Sequence, residues 1–388
     1  YHRASHSFFR TFSFLMSRRL FQFDWVLFSA MLLLIGISLL ILSSLSSSGG
    51  TNYFLKQGIF AALGIGVMFF VAFLDYRHIE RASTPLYFAM LGVLGVLLVV
   101  GSTVRGTSGW LSFGIFQIQP VEFAKIVLIL FLSSFIRKKT TELGEWTRII
   151  ASLFLSAAMI FLVLKQPDLG SSLVLMAIWM GMILVAGLRL SHMLTLVLLG
   201  SCLVVGAWFL LAPYQKDRIN TFLHPERDPK GSGYNVLQSM VAVGSGGMLG
   251  KGIGHGSQSQ LAFLPERHTD FIYAVVAEEL GLVGAWLVLI LYGIILYRIR
   301  QIADLASDNA GYLLSVGALI LFVTHIAINI GMNIGVLPVT GLPAPLLSYG
   351  GSSLLAFCVM IGLLQSVYRH QRDSADSRIS LERNLLSR

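Results

Sequence analysis

Five consecutive polar residues precede an apolar run in the last third of the chain: Glu266, Arg267, His268, Thr269 and Asp270. Asp270 stands directly before the run, and the dipole of a helix that begins there favours an ionised carboxylate. Such a carboxylate can accept a proton from a hydroxyl group within hydrogen-bond distance, which makes Asp270 the candidate general base. Thr269 or Asp270 could instead cap the helix. A cap needs only one such residue, however, and does not explain the Glu, Arg and His before it.

Two further charged residues, Glu122 and Lys125, lie inside another apolar run. Residues three apart share a helix face, so this pair can form an ion pair. The pair could serve packing alone, or Lys125 could face a cavity and contact a phosphate while Glu122 orients it. Asp168 also has two interpretations: an N-cap of the following helix, or a polar group that lines the same cavity.

Other polar residues lie deeper in apolar runs. Glu278 and Glu279 follow Asp270 in the same run, and at least one of them must find a partner or water because a charge in a membrane is costly. His325, Asn329 and Asn333, each four residues apart, form a polar stripe that is typical of hydrogen bonding between helices. We expect His325 to be packed and hydrogen-bonded rather than catalytic.

Three loops, residues 102–119, 213–270 and 335–350, are predicted to converge over one outward-facing cavity. The last is rich in proline and glycine, and irregular backbone beside a bilayer is tolerated only where it lines a cavity or is buried in protein. The second is much longer than an ordinary connection, and long ordered loops are usually functional. Within it, residues 235–250 predict a short amphipathic or re-entrant helix.

The composition is that of a membrane protein. Of 388 residues, 55% are hydrophobic and 12% are charged, whereas a soluble domain has about 25% charged residues. This excludes a soluble enzyme, a nucleic-acid-binding module and a disordered protein. The net charge of +9 comes mostly from basic residues in spacers between apolar runs, which indicates membrane topology rather than a nucleic-acid partner.

A helix needs about 20 apolar residues to cross a bilayer. Ten segments qualify: residues 24–45, 54–74, 85–101, 118–136, 148–165, 169–188, 192–212, 271–297, 310–334 and 351–368. The positions of Lys and Arg place both termini in the cytoplasm. The predicted fold is an all-α polytopic membrane protein with ten transmembrane helices and a large extracytoplasmic loop, 213–270, between helices 7 and 8. Residues 1–23 form a cytoplasmic N-terminal segment, 24–368 the membrane domain and 369–388 a cytoplasmic tail.

Several motifs, in this order, resemble those of the SEDS family (shape, elongation, division and sporulation proteins): QPVEFAK, HPERDP, GSGGMLGKG, LPERHTDF and NIGMNIGVLPVTGLPAPLLSYGGSS. The resemblance covers about residues 18–370 and is closer to the RodA-type members that act in elongation than to the FtsW-type members that act in division. It implies a peptidoglycan glycosyltransferase of the bacterial cytoplasmic (inner) membrane, with an active site that faces the periplasm or cell exterior. The family's essential acidic residue corresponds to Asp270, and its Glu and Lys in the fourth span correspond to Glu122 and Lys125. The family usually has a basic residue shortly before the tryptophan that corresponds to Trp110, and Arg105 is the candidate here.

The chemistry that the resemblance implies joins lipid II units into glycan strands. The 4-hydroxyl of an acceptor GlcNAc attacks the anomeric carbon of a donor MurNAc and expels undecaprenyl pyrophosphate with inversion. Asp270 would act as the base, and Asp168, Glu266 and His268 would bind or support the substrate. Cations would stabilise the departing pyrophosphate, and the candidates are Arg105, Lys125, Arg218, Lys251 and Arg267. No metal-ligand spacing is visible, so Mg²⁺ or Mn²⁺ would be bound mainly by the substrate phosphates.

The implied partners are lipid II, the growing glycan strand, a class B penicillin-binding protein that supplies the transpeptidase, and other membrane proteins of the elongation complex. Two alternatives stay open. A flippase or other transporter of lipid-linked precursors would also have ten spans with intramembrane charges, although it should place polar residues on both faces of the bilayer. A non-catalytic scaffold of the elongation or division machinery would not require Asp270 for cell shape.

Overall fold

The structure is a computed structural model. It describes residues 23–49, 52–104, 107–113, 116–137, 145–186, 195, 232–261 and 263–386. Within that part of the chain the helices and strands are α1 Trp25–Gly49, α2 Tyr53–Phe73, α3 Tyr76–Arg81, α4 Ser83–Val100, β1 Ser102–Val104, β2 Thr107–Phe113, β3 Phe116–Ile118, α5 Pro120–Arg137, α6 Glu145–Lys165, α7 Leu169–Val185, α8 Ser232–Ser245, α9 Ser257–Gln260, α10 Ile272–Asp304, α11 Asn309–Asn333 and α12 Gly351–Leu386.

Seven of the described helices are long and apolar enough to cross a membrane: α1, α2, α4, α6, α10, α11 and α12. They coincide with the first, second, third, fifth, eighth, ninth and tenth predicted spans. The fourth and sixth predicted spans are the helices α5 and α7; α5 carries Glu122, Lys125 and Arg137, and α7 has 17 residues. The seventh predicted span, 192–212, lies outside the described residues except for position 195. The total of ten spans and the side on which the termini lie stay predictions.

The all-α prediction is wrong for the loop 102–119. Strands β1, β2 and β3 pair antiparallel in that order, with Ser102 opposite Trp110 and Leu111 opposite Ile118. The segment is rich in β-branched and aromatic residues, which favour strands. Ser108 N also donates to Gln166 O over 3.2 Å, which fastens this sheet to the turn before α7.

The bundle is built around α10, α11, α5 and α12. Helix α10 packs against α11 and α1, while α11 also contacts α7 and α5, and α12 lies along α2. Most side chains of α5 are buried, including both members of its charged pair. The C-terminal end of α11 lies against the N-terminal end of α10, and the N-terminal ends of α5 and α7 lie against each other.

Helix α10 is broken at Gly281, where φ is 70° and ψ is −164°. The glycine-rich segment 246–252 fills the break, because Gly252 N donates to Glu279 O over 3.0 Å and Leu282 N donates to Gly247 O over 2.9 Å. A Cβ atom on Gly281 would lie 2.2 Å from Gly250 N. Both the positive φ and the close backbone approach therefore require glycine at this position.

At the N-terminal end of α11, Asp308 caps the helix and joins it to α3. Its carboxylate accepts hydrogen bonds from Gly311 N at 2.8 Å, Tyr76 Oη at 2.8 Å and Arg77 Nε at 3.2 Å. Burial opposes ionisation of Asp308, but these hydrogen bonds outweigh burial and lower its pKa below the ordinary value.

Candidate active site

Residues from all three predicted loops line one cavity of about 310 Å³. Its lining includes four carboxylates, Glu122, Asp168, Glu266 and Asp270. The other lining residues are Thr107, Trp110, Gln119, Pro167, Leu169, Ser171, Asn235, Val339, Thr340, Gly341, Leu342 and Pro343. The predicted convergence of the loops 102–119, 213–270 and 335–350 is confirmed.

The segment Glu266–Asp270, which we call the acidic turn, has a tightly bonded backbone. Glu266 has a left-handed φ of 51°, and its carbonyl oxygen accepts hydrogen bonds from Thr269 N and Asp270 N, both at 3.1 Å. The loop after α11 holds the turn from outside, because Ser348 Oγ donates to Thr269 O at 2.5 Å and Tyr349 N donates to His268 O at 2.9 Å. The turn therefore presents Glu266 and Asp270 to the cavity from a fixed backbone.

The polar stripe of α11 holds the carbonyl group of Asp270. Asn329 Nδ2 and Asn333 Nδ2 each donate to Asp270 O over 3.0 Å, and both asparagines are fully buried. Asn333 Oδ1 also accepts from Ala274 N of α10 at 3.0 Å, so the predicted hydrogen bonding between helices is confirmed. The capping alternative for Thr269 or Asp270 is wrong, because α10 begins after Phe271 without a side-chain cap.

Glu122 and Lys125 form the predicted ion pair beside the cavity. Lys125 Nζ lies 2.7 Å from Glu122 Oε1 and 3.1 Å from His325 Nε2, and the three side chains are almost completely buried. Because an ammonium group can only donate, His325 Nε2 must accept, and the imidazole then carries its proton on Nδ1 and donates to Pro343 O at 3.2 Å. The prediction that His325 is packed and hydrogen-bonded is confirmed. Glu122 reaches the cavity lining, whereas Lys125 lies behind it.

Asp168 satisfies both interpretations offered by the sequence. Its Oδ1 atom accepts a hydrogen bond from Ser171 N at 2.9 Å and caps α7. Its Oδ2 atom accepts one from Gln119 Nε2 at 3.3 Å, and all three residues line the cavity. The cap therefore fixes a carboxylate that is also part of the site.

The structure does not bring three of the other candidates into the cavity lining: Lys251, Arg267 and His268. Lys251 Nζ lies 2.9 Å from Glu278 Oε1, on the glycine-rich segment that meets the break in α10. The His268 ring stacks on Tyr53, with 4.4 Å between the ring centroids. Burial lowers the pKa of the Arg267 guanidinium from its ordinary value, and its Nη1 has no hydrogen-bond partner among the described residues. Arg105 and Arg218 lie outside the described residues.

Glu278 and Glu279 both have partners, as expected for at least one of them. Glu278 also accepts hydrogen bonds from Gln258 N and Ser259 N, both at 2.9 Å. Glu279 Oε1 accepts from Ser44 Oγ at 2.7 Å and Gln260 Nε2 at 2.8 Å. These bonds hold the segment before the acidic turn against α10.

The sequence did not single out several lining residues, among them Gln119, Asn235, Thr340 and Gly341. Gly341 has a φ of 76°, and a methyl group on it would lie 3.7 Å from Asp270 Oδ2. The prolines and glycines around residue 341 are a signal that could have indicated this close approach. Gln119 begins the motif QPVEFAK and Asn235 begins the predicted helix 235–250, but neither pattern indicates that these side chains line a cavity.

The described residues do not form a metal site of their own, because no three His, Cys, Asp or Glu side chains among them converge closely enough to hold an ion.

A family model described as a cell cycle protein, which covers FtsW, RodA and SpoVE, matches residues 18–373. The chain belongs to this SEDS family. It is 38% identical over 346 residues to the peptidoglycan glycosyltransferase MrdB of Escherichia coli K12, covering 88% of this chain and 93% of MrdB. It is also 38% identical over 320 residues to stage V sporulation protein E of Bacillus subtilis, covering 82% of this chain and 87% of that protein.

Solved structures agree with the family. A chain from a peptidoglycan synthase complex that coordinates polymerization and crosslinking matches with a TM-score of 0.78 and 31% identity, covering 90% of this SEDS protein and 98% of that chain. The rod shape determining protein RodA of Thermus thermophilus matches with a TM-score of 0.67 and 28% identity, covering 90% and 97%. The resemblance predicted from the motifs is confirmed.

Proposed function

We propose that this SEDS protein is a peptidoglycan glycosyltransferase that polymerises lipid II into glycan strands at the outer face of the bacterial cytoplasmic membrane. The observation that carries the proposal is the position of Asp270, in one cavity with Glu122, Asp168 and Glu266. Residues from three loops and from the N-terminal ends of α5 and α7 line this cavity. The chain is 38% identical to a peptidoglycan glycosyltransferase over most of its length.

In the proposed reaction Asp270 is the general base. The acceptor sugar's 4-hydroxyl oxygen forms a bond to the anomeric carbon of the donor, and the hydroxyl proton passes to the Asp270 carboxylate. The bond from the anomeric carbon to the phosphate oxygen breaks, and undecaprenyl pyrophosphate leaves from the opposite face with inversion. A base that is held within hydrogen-bond distance of the hydroxyl typically contributes about a hundredfold to ten-thousandfold in rate. The hydrogen bonds to the acidic turn support this role, since they fix the backbone that carries the base.

The leaving group needs cations, and in the described part of the cavity no lysine or arginine is among the lining residues. Lys125 could act only through Glu122 or after a side-chain movement, and Lys251 is engaged by Glu278. We therefore assign the diphosphate contacts first to Arg105 and Arg218, and to Arg267 second. A Mg²⁺ or Mn²⁺ ion would arrive bound to diphosphate oxygens, with at most one protein carboxylate. Removal of divalent ions from the assay, followed by their restoration, tests that part of the proposal.

We assign the protein to cell elongation and shape maintenance, with a class B penicillin-binding protein as the transpeptidase partner. The similarity to the rod shape determining protein RodA supports a role in cell shape and elongation. The similarity to a chain of a peptidoglycan synthase complex supports a partner that cross-links. Depletion in rod-shaped cells should give round cells; filaments would instead indicate a role in division.

The deciding experiment uses the full chain, purified and reconstituted into liposomes with lipid II, with and without the cognate transpeptidase. We expect glycan strands that are digested by a muramidase. Movement of lipid II across the bilayer without polymer would support a transporter instead. Neither product, together with retained partner binding, would support a scaffold. The control is Asp304→Asn, which removes an exposed carboxylate paired with Arg300 and should polymerise like the wild type.

A further inference from the structure

The start of α10 lacks one regular backbone hydrogen bond. In a helix that included Asp270, Ala274 N would donate to Asp270 O, four residues earlier. Here the amide group of Asn333 lies between these two atoms. Ala274 N donates to Asn333 Oδ1 over 3.0 Å and to Phe271 O, only three residues earlier, over 3.1 Å. Asn333 Nδ2 donates to Asp270 O over 3.0 Å. The asparagine from α11 thus replaces a backbone bond of α10 with two bonds of its own.

Both asparagines are held in place by backbone groups. Asn333 Nδ2 also donates to Asn329 O at 2.8 Å, and Asn329 Nδ2 donates to Leu342 O at 2.8 Å as well as to Asp270 O. The exposed fraction of each side chain is 0%. A buried amide whose donors and acceptor are engaged has little freedom to reorient.

We infer that Asn333, with Asn329 as a second donor, is a positioning residue for the general base. The inserted amide keeps the carbonyl group of Asp270 out of the backbone hydrogen bonds of α10, and the Asp270 carboxylate lines the cavity beside Gly341. Without the amide, Ala274 N and Asp270 O can pair directly, and α10 then begins one residue earlier, with Asp270 as its N-cap. The carboxylate moves with the backbone, and a displacement of about 1 Å is enough to cost about a hundredfold in rate. This inference rests on the proposed function, because it gives Asp270 its catalytic role.

The chain contains a matched control for the chemistry of this contact. The side-chain amide of Gln365 on α12 also donates to and accepts from the backbone of one other residue, Asp24. Asp24 N donates to Gln365 Oε1 and Gln365 Nε2 donates to Asp24 O, both over 2.9 Å. Its side chain is fully buried as well. The segment that it holds contacts Arg298 rather than the cavity, since Arg298 Nη2 lies 2.8 Å from Asp24 Oδ2. Removal of this amide costs stability at a place remote from the site.

The test measures kcat and KM for lipid II polymerisation in liposomes with Asn333→Ala, Asn329→Ala and Gln365→Ala, each corrected for the folded fraction. We expect Asn333→Ala to lower kcat by about tenfold to a hundredfold, with KM changed by less than about threefold. Asn329→Ala keeps the inserted amide and should lower kcat less. Gln365→Ala should leave both constants near the wild-type values.

The inference is overturned if Asn333→Ala has wild-type kcat per folded molecule, or if Gln365→Ala lowers kcat equally. It is also overturned if KM alone changes, because that result would indicate substrate binding rather than placement of the base. A failure of the proposed function looks different: the wild-type protein would then form no polymer from lipid II.

Discussion

The buried pair Glu122–Lys125 gives a prediction whose size follows from the structure. Lys125→Met keeps the length of the side chain but removes the ammonium group that lies 2.7 Å from Glu122 Oε1. Removing one partner of a buried ion pair costs about 3–5 kcal/mol, because the other charge stays buried without compensation. Glu122 reaches the cavity, where water can solvate it in part, so we expect the lower end, about 3 kcal/mol. The melting temperature in detergent should then fall by about 4 °C.

The double variant Glu122→Gln/Lys125→Met separates the effect of lost packing from the effect of an unpaired buried carboxylate. It removes both charges and leaves His325 Nε2 without a charged donor, so we expect it to lose only about 1 kcal/mol. The single Lys125→Met variant should therefore be less stable than the double variant. If Lys125→Met melts within about 1 °C of the wild type, or if the double variant is the less stable of the two, the ion pair does not carry the stability that we assign to it.

Two other predictions concern stability away from the cavity. Gly281→Ala should destabilise the protein by more than about 2 kcal/mol, because it combines a positive φ with a Cβ that would lie 2.2 Å from Gly250 N. The control is Gly293→Ala on the same helix, where no atom lies within 4 Å of the added Cβ and no such loss is expected. Equal melting temperatures for the two variants would contradict this account. The pKa of Asp308 is lowered in the folded state, so its stabilising contribution is present at neutral pH and is lost as the pH falls through the carboxylate's folded pKa. The melting temperature of Asp308→Asn should consequently fall less between about pH 7 and about pH 3 than that of the wild type. Asp304→Asn should show the same fall as the wild type. If the melting temperature of Asp308→Asn falls as much as that of the wild type, Asp308 does not have this role.

The sequence predicts the helices well because each span needs a long apolar run, and such runs are read directly from composition. It also indicates the carboxylates of the site, since Glu122, Asp168 and Asp270 stand at the ends of, or inside, those runs. The small sheet was missed because its strands are short. They lie in a segment that the pattern of apolar runs identifies only as a connection between two spans.

The partners of these residues could not be predicted, because the hydrogen bonds join distant parts of the chain. Lys125 and His325 are 200 residues apart, and Asn333 is 63 residues from Asp270. Local pattern offered a cap at Thr269 or Asp270 only as an alternative, and it could not indicate that Asn333 of another helix accepts from Ala274 N. Lys251 is one of the five candidate cations for the diphosphate, but the glycine-rich segment folds onto the break in α10 and places Lys251 against Glu278.

The most direct test of the catalytic claim is the initial rate of glycan formation by Asp270→Asn, measured beside wild type and Asp270→Glu in the same liposomes. Asn has nearly the shape of Asp but cannot accept the proton as a base, so we predict that the rate falls by at least about a hundredfold while the melting temperature stays near that of the wild type. Asp270→Glu keeps a carboxylate and should retain more activity than Asp270→Asn. Glycan synthesis by Asp270→Asn at the wild-type rate would contradict the assignment of Asp270 as the base.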